Sequence, residues 1–252
     1  MTSSALNELD KAAREFEVAR LECDQELVAR GDVDHRDRHS IGAIGSDIVD
    51  AALFVIPNAV RAAIEATSEQ IERIQLGVWP SEESGESGAG VGDGAERVPA
   101  EAARKESANF KLAIKLVYFL IRSFQDATYR ATFQVLEGKK PKKAKSASMM
   151  RVLGAGDPVR EMLGEFMTEY EAWFLGWRAI RDRIKTGQGT GTLGAHPGSP
   201  PDDIGINLNL VTEDAGIEIN LSKGTRVSDV TKAIEMSTKL VQRLTEAARS
   251  QN

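Results

Sequence analysis

Cysteine occurs once in this chain, at Cys23, and histidine three times, at His35, His39 and His196. One thiol closes no internal disulfide and builds no four-thiolate metal site, so nothing asks for an oxidising compartment. Cys23 lies among helix formers and reads as a packed structural residue. The opening segment, MTSSALNELDKAAREFEVAR, is charged throughout and lacks the short apolar run of a secretory signal, so a cytoplasmic location is expected. Phe110 to Ile121, read as the most apolar stretch, is interrupted by Lys111 and Lys115. It falls well short of the ~20 apolar residues that span a bilayer, which predicts a buried helix and no membrane partner.

What is present is enough for a folded core. Of 252 residues, 41% are hydrophobic and 28% charged, and the net charge is -6. That surface repels nucleic acid except where positive charge is locally concentrated, which makes the lysine distribution informative.

Helical periodicity dominates, and it predicts a mainly α fold: a helical bundle with one small β-hairpin before the C-terminal helix. Leu6, Leu9, Ala13 and Phe16 mark a first helix from Ser4 to Ala29, closed by Gly31. A second is expected from His35 to Gln75, kinked or broken at Pro57. Residues 1–76 thus read as a helical hairpin, and 77–100, rich in Gly, Ser and Glu, as a flexible linker or long loop. Residues 101–252 read as a second bundle, unless all helices pack as a single domain. A third helix is expected from Ala102 to Leu136 and stops at Gly138. A fourth, capped by Asp157 with Pro158 at its first position, runs on to Gly187. Alternation then appears at Ile204, Ile206, Leu208 and Leu210, and again at Ile217, Ile219 and Leu221 after turn residues Thr212 to Gly216, which predicts the hairpin. Ser228 is the expected cap of the last helix.

Motifs with complete chemistry are missing. His35 and His39 stand four apart near Asp32, Asp34 and Asp37 and are the candidates for a metal site, although DVDHRDRH reads first as a solvated helix start with local ion pairs. GAGVGDG lacks the Gly-Lys-Ser/Thr ending of a phosphate loop and follows no strand, and no cofactor is expected. GAGDPVR precedes a helix start and reads as an ordinary loop and cap. Lys139, Lys140, Lys142, Lys143 and Lys145, extended by Arg151, form a polyanion-binding candidate, without an aromatic among the lysines to stack on bases.

The segment EYEAWFLGWRAIRDRIKTG, followed by a loop, a hairpin and a last helix, resembles the HEPN superfamily of helical bundles. Arg181 and Asp182 look like the arginine and polar residue of that family's motif, and Trp177 and Ile180 like the apolar positions before them. Thr186 occupies the place of the histidine, and the neighbouring Gly187 and Gln188 supply no imidazole either. The resemblance implies a bundle of that kind, and active members are similar to metal-independent ribonucleases in which arginine and histidine meet at a dimer interface.

Three functions follow as expectations. The first is a non-enzymatic HEPN-like binding protein in a bacterial defence or toxin-antitoxin-like setting, acting as a homodimer or on an RNA or acidic protein partner. The second is a metal-independent ribonuclease with an altered site, using Arg181 with His196 or with groups from a second subunit, the candidate catalytic residues being Arg181, Asp182 and His196. The third is a polyanion-binding module using Lys139 to Lys145.

Overall fold

The computed structural model describes residues 4–31, 40–75, 97–138, 157–185, 193–194, 199–206, 211–214, 217–220 and 225–251. Its helices are α1 (Ala5–Ala29), α2 (Ile41–Asp50), α3 (Ile56–Gln75), α4 (Arg97–Glu137), α5 (Pro158–Leu163), α6 (Met167–Lys185) and α7 (Val227–Ser250). The fold is mainly α, with a small two-stranded antiparallel hairpin before the last helix.

Local signals fix several ends where expected. Ser4 caps α1, its hydroxyl accepting from Asn7 N, and Leu9, Ala13, Phe16, Cys23 and Leu27 turn inward. Gly31, at φ 72, and Gly138, at φ 64, supply the left-handed conformation that closes α1 and α4. Asp157 caps α5 through Val159 N at 2.9 Å, with Pro158 at the first position.

Elsewhere the structure corrects the periodicity. The second helix begins at Ile41, not His35, because Ser40 is extended and its hydroxyl caps Ala43 N. Pro57 does not break it: a π-helical turn, Ala51–Val55, precedes α3, and Ile56 N bonds back to Ala51 O. The wider turn displaces the carbonyl that the proline ring would otherwise meet. With no break there, Ile41–Ala66 becomes a 26-residue stretch long and apolar enough, by length and composition only, to cross a membrane, and 56% of its most apolar window is buried within the bundle. Helix α4 starts at Arg97, taking in Pro99 where a missing amide costs nothing and shortening the expected linker. The remaining linker, 76–96, lies outside the described residues.

The fourth expected helix is two. Gly164, at φ 51, ends α5, and a 3-10 turn, Gly164–Phe166, leads into α6. In the hairpin, Val211–Asp214 pairs with Ile217–Asn220 in the register Val211↔Asn220 to Asp214↔Ile217. Thr212, Glu213 and Asp214 are therefore strand rather than turn, since a two-residue connection suffices between paired ends. A second, three-stranded sheet was not expected: Gly205–Ile206 lies between Leu193–Gly194 and Thr225–Arg226. A Cβ on Gly205 would stand 2.4 Å from Thr225 O, so this close pairing requires glycine.

Ser228 is not the cap of α7; Arg226 holds that position and Ser228 lies within the first turn. Asp203 accepts from Ser228 N at 2.8 Å and Oγ at 3.0 Å, and Asp229 accepts from Arg226 N at 2.8 Å. The preceding residue, Asp202, accepts from Ser4 Oγ, Ala5 N and Leu6 N of α1. Two consecutive carboxylates thus cap the helices from the two ends of the chain. At their other ends Arg30 Nη1 donates to Ala248 O at 2.7 Å, so α1 and α7 run parallel. Their buried faces, with those of α2 to α6, form a single apolar cluster.

Candidate functional site

Helix α4 carries an i, i+4 pair of opposite charge, Arg122 and Asp126, 3.3 Å apart. Helix α6 brings Arg181 and Asp182 to the same region, where their charges act on Arg122, and Arg178, which pairs with Asp182. The two helices are registered by an aromatic stack: Trp177 lies on Tyr118 at 3.7 Å between ring centroids and 5° between planes. The Tyr118 hydroxyl shares a 2.5 Å hydrogen bond with Thr225 Oγ1, tying the stack to the strand before α7. Burial pushes the Tyr118 phenol well above its ordinary pKa. Along α6, Tyr170, Trp173 and Trp177 follow one another at ring separations of 5.5 and 5.8 Å, fixing its inward face.

The charged groups are partly enclosed. Side-chain exposure is 15% for Arg122, 11% for Arg178 and 13% for Arg181. Arg181 donates from Nε to Asp182 Oδ1 at 3.0 Å and from Nη2 to the same oxygen, while Arg178 Nε stands 3.7 Å from Asp182 Oδ2. Burial lowers the Arg122 pKa, Asp126 opposes the shift, and the Arg181 guanidinium lowers it further. Beside them Tyr170 is fully buried, and desolvation raises its phenol far above the ordinary value. The cluster sets three guanidinium groups against two carboxylates, a net charge of plus one on a chain of net charge -6. Guanidinium stays protonated, so these groups offer fixed donors for an anion rather than a proton relay.

Of the expected site residues, Arg181 and Asp182 are brought together. His35, His39, His196, Thr186, Lys139, Lys140, Lys142, Lys143, Lys145 and Arg151 lie outside the described residues. Among the described residues no group of His, Cys, Asp and Glu could hold a metal ion. Sequence reasoning missed Arg122 and Asp126. The available signal was a charged i, i+4 pair in a helix whose neighbouring Ile121, Phe124 and Ala127 are apolar.

No family model, curated protein or solved structure matches the chain.

Proposed function

We propose that this chain is a non-enzymatic HEPN-like binding protein, in a bacterial defence or toxin-antitoxin-like setting, that takes an RNA partner by its phosphates through Arg122, Arg178 and Arg181. The observation that supports this reading is the convergence of three guanidinium groups, each no more than 15% exposed in its side chain, from two helices. Guanidinium forks match phosphate oxygens in pairs, and an anion offsets the mutual repulsion that the two carboxylates leave. Arg181 is ion-paired with Asp182 and, as a guanidinium that stays protonated, is unsuited to accepting a proton.

The test is RNA binding by fluorescence anisotropy at two salt concentrations, with a cleavage assay on the same RNA. Arg178→Ala and Arg181→Ala should each weaken binding about 10-fold and reduce the salt slope by about 1. RNA cleavage that Arg181→Ala abolishes would replace this reading by the ribonuclease one. Binding that only charge reversal of Lys139 to Lys145 removes would move the site to the lysine run. Tight binding to an acidic protein, with none to RNA, would change the partner class.

A further inference from the structure

Helix α4 does not bury the whole of its apolar surface. Phe110, Ala113, Ile114, Val117 and Ile121 face the core, but Leu112, Leu116 and Phe119, at i, i+4 and i+7, are 62%, 42% and 45% exposed. Phe54 and Val55, in the π-helical turn, are 60% and 40% exposed. Val55 and Leu116 also belong to the lining of a cleft of about 670 Å³ between α3 and α4, in which Ala59, Ala62 and Ala113 are small. One surface therefore carries protruding rings and leucines beside a concavity. The five exposed side chains present about 500 Å² of apolar area, at the upper end of what a monomer leaves uncovered. With a polar rim this approaches the ~800 Å² per partner of a stable interface.

We propose that this α3–α4 face is the interface of a symmetric homodimer. Helix directions set its geometry. Arg20 and Asp24 of α1 meet Gly45 and Gly42 of α2, so α2 and α3 run against α1. Phe124 packs on Phe16, and Tyr118 on Thr225 near the start of the parallel α7, so α4 runs with α1 and antiparallel to α3. A twofold axis along the cleft then lays α4 of one protomer on α3 of the other at the same level, each copy offering a knob and a hole to its mate. The exposed Lys105 of α4 comes level with the exposed Glu65 of the partner subunit across that axis, a pairing that offsets the repulsion between the two copies of Glu106 in the cleft lining. A membrane fits less well, because exposed Asp47, Asp50 and Glu65 border the same apolar surface and anionic lipid repels them.

Sedimentation equilibrium on the full chain decides the matter. The expected wild-type mass is twice the 27.4 kDa of the chain. Leu112→Glu, at a site already 62% exposed, should raise the dimer dissociation constant about 100-fold while leaving the far-ultraviolet circular dichroism unchanged. Glu65→Lys should weaken the dimer, and adding Lys105→Glu should restore it. A wild-type monomer at all concentrations, or a dimer indifferent to Leu112→Glu, overturns the proposal. So does a monomer that pellets with phosphatidylserine vesicles.

Discussion

Removing the Asp202 carboxylate tests whether the two ends of the chain are fastened as described. Asp202 accepts from Ala5 N at 3.1 Å, from Leu6 N at 3.0 Å and from the Ser4 hydroxyl, so Asp202→Ala leaves two amides at the α1 start without their acceptor. Ser4 still caps Asn7 N, at 3.4 Å, too long to recover much. Loss of a capping acceptor costs about 1 kcal/mol and loss of a negative charge at a helix start about 0.5 more. We expect about 1.5 kcal/mol in total, read as a lower urea midpoint with unchanged slope. Asp202→Asn, which keeps an oxygen and loses the charge, should cost about a third of that. Burial alone would raise the Asp202 pKa, but the Ser4 hydroxyl and the Leu6 and Ala5 amides outweigh it and hold the carboxyl below its ordinary range. A depressed folded-state pKa gives stability that is complete above the unfolded value and lost as pH falls through the folded one. The gap between wild type and Asp202→Asn should therefore be widest near neutral pH and close in strong acid. A gap that stays constant from neutral pH into strong acid, or an Asp202→Ala midpoint equal to that of wild type, refutes the reasoning.

Two further perturbations probe the interior. A Cβ at Gly45 would fall 2.2 Å from Arg20 Cδ, while Arg20 is buried and donates to Gly42 O at 3.2 Å. Gly45→Ala should therefore cost about 1 to 2 kcal/mol by urea unfolding, despite the helix propensity it gains. Truncating Arg20 in the same chain should make the two losses less than additive, and full additivity would contradict the contact. Cys23 is fully buried, and desolvation pushes its thiol up to about 12, so it should react with a disulfide reagent near neutral pH only as fast as the chain opens. Reaction at the rate of a free thiol in the folded protein would contradict that burial.

The elements legible in the sequence were those whose ends are set by neighbours a few residues away. Ser4 before α1, Asp157 and Pro158 before α5, and Gly138 after α4 act within one turn, and each was readable. The missed break at Gly164 has a physical reason. Met162, Leu163, Phe166 and Tyr170 keep an apolar face through the 3-10 turn, so periodicity continues where hydrogen bonding changes. Asp202 and Asp203 looked like loop residues because their partners, Ala5 and Ser228, lie 197 and 25 residues away in the sequence. Gly205–Ile206 falls within the alternation from Ile204 to Leu210, but its partners, Leu193–Gly194 and Thr225–Arg226, are two residues each and too short for any alternation to declare them. In the site, Arg181 and Asp182 were found because they are adjacent, whereas Arg122 joins them only through the packing of α4 on α6.

That packing explains how like charges come to be held together. Three guanidinium groups repel one another, and on mobile loops they would separate into water. Here each springs from a helix whose rotation is fixed by an aromatic contact, Arg122 one turn beyond Tyr118, Arg178 next to Trp177 and Arg181 one turn beyond it. The Tyr118 hydroxyl is held by Thr225, whose neighbour Arg226 begins α7 under the hold of Asp229, with Asp203 capping the following Ser228. The frame is thus apolar where it meets the cluster and hydrogen-bonded where it meets the chain ends. The stack holds the groups in place against the repulsion and the two carboxylates offset part of it, which leaves a net positive charge in a partly enclosed site on an otherwise acidic protein. A side-chain cluster so arranged is ordered before any anion reaches it, which lowers the entropic cost of binding one.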